Sequence, residues 1–323
     1  MDELLIMLRN VLMFIALALP GFILVKTELI KKEQSEPLAK LLIYIGLPML
    51  IFNGVVNNVT IDGSSMLAIG IVALIGLIYQ LATFFATRPL TVMEKNEKTR
   101  GMMRFSAAFN NNGFLGIPLA MAVFGGGSPV VTVLIVINIM TNILLYTLGI
   151  YLVSGDKSKI SWKKAFLNPV LIAFLIGLAV NLIDVKTYVP EIVSFSTHFS
   201  NIVTPLSMIV LGMKLGGIKF TSILSSKKLY YVAALKLIVF PIIIVAALIA
   251  IKIATGGVII NDSVVLGAFI AFAVPTAGLA STFADCFDGD TDNAVIFTLG
   301  TTILSVVTIP VLYWVICVIL GSL

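Results

Sequence analysis

Apolar runs of about 20 residues recur from one end of this 323-residue chain to the other, with short polar turns between them. A helix of that length crosses the roughly 30 Å hydrocarbon core of a bilayer. The pattern predicts ten transmembrane spans, approximately over 4–25, 38–56, 65–86, 102–123, 130–153, 166–183, 200–217, 229–251, 264–284 and 294–320. The first run starts acidic, MDELL, and is long enough to span, so it reads as a transmembrane helix rather than a leader peptide. One run breaks the pattern. Arg104 to Phe124, RFSAAFNNNGFLGIPLAMAVF, holds Asn110, Asn111 and Asn112 in a row, then Gly113, Gly116 and Pro118. Consecutive helical positions point about 100° apart, so a lone helix in lipid would leave at least one amide in hydrocarbon. Pro118 removes a donor and frees the carbonyl of Phe114. Irregular backbone survives at membrane depth only when protein or a water-filled cavity surrounds it. This stretch therefore predicts a broken helix at a binding site.

Charge orders the loops. Four basic residues fall between spans one and two (Lys26, Lys31, Lys32, Lys40) and five between three and four (Arg88, Lys95, Lys98, Arg100, Arg104). Four more lie between five and six (Lys157, Lys159, Lys163, Lys164) and four between seven and eight (Lys214, Lys219, Lys227, Lys228). The alternate loops and the N-terminus carry only Arg9, Lys186 and Lys252. Such asymmetry places the basic loops in the cytoplasm and both termini outside it. The expected location is the cell membrane, multi-pass.

Ten spans divide into five and five, and an odd number per half inverts the second. Matching interruptions support that division. Leu47-Pro48 and Gly54 in span two answer Thr204-Pro205 and Gly212 in span seven, and the Asn/Gly/Pro centre of span four answers Pro275-Thr276-Ala277-Gly278 in span nine. Asn138, Thr141 and Asn142 in span five answer Thr298, Thr301 and Thr302 in span ten, each set on one helix face. Paired interrupted segments in two halves mark the binding site of an inverted-repeat carrier. The expected fold is thus all-α, an integral membrane domain of two five-helix repeats, 1–155 and 156–323.

Composition fits, with 59% hydrophobic and 11% charged residues and a mean hydropathy of +1.10. A net charge of +5 is spread over short loops and does not indicate nucleic acid. Cys286 and Cys317 have no metal or redox spacing, and His198 reads as a solvated loop residue. No metal site, cofactor or enzyme chemistry is expected. The alternating aspartates of FDGDTDNA lack the glycine and glutamate of a calcium loop and read as a turn, with Asp292 capping span ten. No Asp or Glu sits mid-membrane, which argues against a cation/proton antiporter.

NNNGFLGIP resembles the Asn-x-Gly-Phe-Leu-Gly-Ile-Pro signature of the auxin efflux carrier and malate permease family. TPLSMIVLGMKLG in span seven, Pro275 with the acidic turn after it, and the Thr-rich last span ending in Thr308-Ile309-Pro310 are similar to further segments of that family. The resemblance implies the crossover fold shared with bile acid symporters, in which spans four and nine break and cross. It also implies transport of small organic anions, malate or a related carboxylate, with a bacterial permease as the nearer type because the central loop is short.

The residues themselves suggest how an anion would be held. Half-helix N-termini offer free N–H groups and a partial positive charge, and asparagine adds neutral donors. The candidate substrate-binding residues are Asn111, Asn112, Gly113, Gly116 and Pro118 in span four and Pro275, Thr276 and Gly278 in span nine. Asn138 and Asn142 in span five and Asn53 in span two are further candidates for the same cavity. Lys236, the one ionisable residue well inside a span, is an outer candidate that either holds an anion or snorkels to the cytoplasmic face. The expected partners are a small carboxylate and the bilayer, with a homodimer left open. The coupling ion, proton or sodium, is open too. A sodium-coupled symporter and a non-transporting receptor or scaffold of the same fold are the alternative readings.

Overall fold

The structure is a computed structural model that describes residues 2–59, 63–217, 221, 223 and 225–322; Lys219, counted among the basic loop residues, lies outside them. Among the described residues it is all helical apart from one isolated antiparallel bridge, Asn110 to Thr276. We label the helices α1 (Asp2–Lys26), α2 (Lys32–Asn58), α3 (Gly63–Leu90), α4 (Glu97–Ala108), α5 (Asn112–Phe124) and α6 (Pro129–Ser154). Then follow α7 (Trp162–Asn181), α8 (Pro190–Gly216), α9 (Lys227–Ala254), α10 (Asp262–Ala273), α11 (Ala280–Cys286) and α12 (Thr291–Gly321). Seven of these, α2, α3, α6, α7, α8, α9 and α12, are long and apolar enough to cross a membrane. The pair α4/α5 occupies the expected fourth span and α10/α11 the ninth.

The helices pack in two groups. In the first, α1 lies along α8, and α2 packs against both α7 and α8. Close approach of α1 to α8 depends on glycines: a Cβ at Gly21 would strike the Ile209 carbonyl, one at Gly212 the Ala18 carbonyl and one at Gly216 the Phe22 carbonyl. Small residues four apart let two backbones touch in this way, which is how helices gain dispersion energy inside lipid. The second group contains α3, α6 and α9 to α12 around the interrupted pairs. Its outward faces expose Leu74, Phe85, Ile243 and Val307, a surface suited to hydrocarbon.

Three prolines sit at the second position of a helical segment that follows a widened, π-helical turn: Pro48 after Leu42–Gly46, Pro118 after Asn112–Gly116 and Pro241 after Leu235–Val239. In each, the residue before proline donates five positions back, Leu47 to Leu42, Ile117 to Asn112 and Phe240 to Leu235. The extra residue relieves the clash between the proline ring and the preceding turn, so the helix continues. Pro118 therefore widens α5 without interrupting it. The gap in the fourth span lies earlier, at Phe109 to Asn111.

Two further readings change. His198 lies inside α8, exposed on its surface, and not in a loop. That helix begins ten residues earlier than hydropathy indicates, because Ser196 and Ser200 are buried against neighbours despite their polarity. The cap of α12 is Asp290 rather than Asp292: the Asp290 carboxylate accepts from the Asn293 N–H at 3.0 Å and from the Thr99 hydroxyl.

Candidate functional site: paired helix breaks beside an amide-lined cleft

Two short extended segments meet in antiparallel register. The Asn111 N–H donates to the Pro275 carbonyl at 2.9 Å, and the Ala277 N–H donates to the Phe109 carbonyl at 3.0 Å. Both segments are deeply buried, with Phe109, Val274 and Thr276 fully enclosed. A helix end inside a membrane protein must find partners for its last carbonyls. Here α4 does so with two side chains from other segments and one backbone N–H of its own. The Ser106 carbonyl accepts from the Thr276 hydroxyl (2.9 Å), the Ala108 carbonyl from Gln80 Nε2 on α3 (3.0 Å), and the Phe105 carbonyl from the Phe109 N–H (2.9 Å). On the opposing segment, the Thr276 N–H donates to the Thr301 hydroxyl of α12 at 3.1 Å.

A small cleft of about 50 Å³ opens beside this pairing, between the two helix groups. Asn110, Asn111 and Gly113 line it from the first break, Gly278 from the second, and Asn138, Thr141 and Asn142 from α6. Asn142 donates to both the carbonyl and the side-chain oxygen of Asn138, at 2.8 and 3.0 Å, while the Asn138 Nδ2 donor has no partner. Asn110 has no partner at either end of its amide. A buried amide left unpaired costs about 1–3 kcal/mol, so these groups are poised to bond something that enters the cleft. Gly113 and Gly278 keep the walls open: a Cβ at Gly113 would press on Leu47, and one at Gly278 on Phe114.

The sequence candidates divide accordingly. Asn111, Gly113, Gly278, Asn138 and Asn142 come together on the cleft. Asn112, Gly116, Pro118 and Thr276 are buried behind it. Asn112 Nδ2 reaches the Thr141 hydroxyl at 3.5 Å, and Gly116 leaves room for the Asn112 side chain. Pro275 contributes its carbonyl to the pairing. Asn53 faces a different cavity and ties α2 to α8 through Ser196 (3.0 Å) and Thr197 (2.6 Å). Lys236 is fully buried in the widened turn of α9, a turn that packs against α4, α10 and α12, and it does not line the cleft. Polar residues of the cleft outside the candidate set are Asn110, Thr141, Tyr146 and Asn168. The signal for Asn110 was present in the triplet, but which of three neighbours faces a cavity depends on where the helix stops.

Chemically, the cleft offers neutral amide donors and the first N–H groups of α5, which have no intrahelical acceptor. An anionic oxygen is the ligand such donors stabilise. The helix macrodipole adds to this at α5 but little at α11, whose seven residues align few peptide dipoles. No group of three or more His, Cys, Asp or Glu side chains is placed to hold a metal among the described residues.

An uncharacterized transporter of Methanothermobacter thermautotrophicus is 28% identical over 305 residues, spanning 94% of this chain and 96% of that protein. The family described as membrane transport protein matches residues 6–313. Nearly the whole chain is thus covered, and the protein belongs to the membrane transport protein family, that of the auxin efflux carriers.

Proposed function

We propose that the protein is a secondary carrier of small organic anions, malate or a related carboxylate. It binds its cargo at the paired breaks and works by alternating access. The observation that carries this reading is the antiparallel pairing of two interrupted helices beside a cleft with unpartnered amide groups. Half-helices and unwound backbone at the interface of two repeats are the usual means by which carriers hold anionic cargo. In this reading the twelve helices make ten crossings, residues 1–155 and 156–323 form inverted repeats, and both termini lie outside the cytoplasm of the cell membrane. The first helix group (α1, α2, α7, α8) serves as the panel against which the second moves. Charge neutralisation falls to neutral donors, since the cleft walls carry no ionisable side chain other than the Tyr146 phenol.

The test is counterflow of labelled malate in proteoliposomes. A carrier gives transient, saturable accumulation driven by unlabelled malate on the opposite side. Flux that rises linearly with concentration and shows no counterflow contradicts the carrier reading. Ligand binding with no flux in well-folded protein favours a receptor.

A further inference from the structure

The cleft continues outward. A second cavity of about 320 Å³ adjoins it and shares Ile43, Phe114, Tyr146, Asn168, Gly278 and Leu279 as common walls. Its charged lining is Lys40 from α2, Lys164 from α7, Lys214 from α8 and a single acid, Glu36. Glu36 is taken up by Lys40 in an ion pair at 2.8 Å. Lys164 and Lys214 make no ion pair among the described residues; Lys214 feels both the like charge of Lys32 and, at longer range, the opposite charge of Glu36. Membrane topology accounts for a basic residue at each of these helix ends. It does not account for their convergence, from separate helices, on one cavity that leads to unpartnered amides.

We propose that this vestibule is a loading site for an anion, where Lys164 and Lys214 gather a small carboxylate before it passes Gly278 and Leu279 into the cleft. The inference rests on the organic-anion reading above and deepens it. The cargo enters in its ionised form, from the side of the basic loops, and the vestibule sets capture while the amides set binding. A cavity with an excess of one sign of charge and low-dielectric walls raises the local concentration of counter-ions. The phosphate of an anionic lipid headgroup shares the chemistry of a carboxylate, so the test must separate the two.

Cys286 lines the vestibule and is free and exposed, so it can report the local potential. In a Cys317→Ala background, Cys286 is the sole thiol of the chain. It is reacted in detergent with methanethiosulfonates bearing either a sulfonate or a trimethylammonium group. The thiolate attacks the reagent, a mixed disulfide forms and methanesulfinate leaves. Taking the ratio of the two rates cancels changes in thiolate fraction. Lys164→Gln with Lys214→Gln should lower the anionic-to-cationic ratio about threefold or more, and Glu36→Gln should raise it. An unchanged ratio overturns the proposal.

The second arm is malate counterflow in phosphatidylcholine liposomes. The lysine variants should raise KM about three- to tenfold with kcat unchanged, an effect that fades at high salt. A KM effect that needs added phosphatidylglycerol assigns the anion to a lipid headgroup and overturns the loading role. The thiol ratio requires no cargo. If it falls while the wild type carries no malate, the anion site stands and it is malate, from the reading above, that is removed.

Discussion

Thr276 shows how much of the paired breaks hangs on single side chains. Its hydroxyl is the partner of the Ser106 carbonyl at the end of α4, in a fully buried position. Thr276→Val keeps the shape and removes that donor, so an orphaned carbonyl should cost about 1–3 kcal/mol. Thermal unfolding in detergent would read this as a lowered midpoint, and a midpoint equal to wild type would show that the carbonyl has another partner. Glu94 offers a pH-dependent counterpart outside the membrane. A hydrogen bond from Lys228, with further backbone donation at Asn96, holds its carboxyl below the ordinary 4.5. A depressed pKa contributes stability above the unfolded value and loses it as pH falls through the folded one. Glu94→Gln should therefore lower the midpoint slightly at pH 7, by about 0.5 kcal/mol or less after solvent screening. The difference from wild type should vanish once the medium is well below pH 4.5. A difference that persists in acid would assign the effect to something other than this charge.

At the scale of elements, the interruption of the fourth span was legible because three adjacent amides cannot all be satisfied on one lipid-facing helix. Its position was not, since Pro118 suggested a break that the widened turn Asn112–Gly116 absorbs. The α1–α8 contact was hidden for a different reason. Gly212 and Gly216 stand four apart in the sequence, but what they admit is the backbone of a helix nearly 200 residues earlier. That contact predicts a difference between two glycines of equal chemistry. Gly212→Ala places a methyl against the Ala18 carbonyl and should destabilise by about 1–3 kcal/mol. Gly70→Ala adds its methyl in open space on α3 and should be neutral or stabilising, by up to about 1 kcal/mol of helix propensity. Equal midpoints for the two variants would contradict the packing described for α1 and α8.

For the whole molecule, the sequence showed what must be buried with polar groups and left open how those groups would be shared out. Asn53 and Asn142 look alike in their spans, each an amide among apolar residues. The structure spends the first inside the α2–α8 contact and the second on the wall of the cleft. No local pattern separates the two roles, because they follow from which helix group each span joins. The proposed function requires cargo to bind at the junction of the two groups, beside the paired breaks. Labelled malate counterflow of Asn111→Ala, Asn142→Ala and Asn53→Ala, each at matched amounts of folded protein, tests it most directly. The first two should lose counterflow by an order of magnitude or more, about 1.4 kcal/mol, while Asn53→Ala keeps most of it. Counterflow retained in both cleft variants and lost in Asn53→Ala would contradict a site at the paired breaks and place it elsewhere.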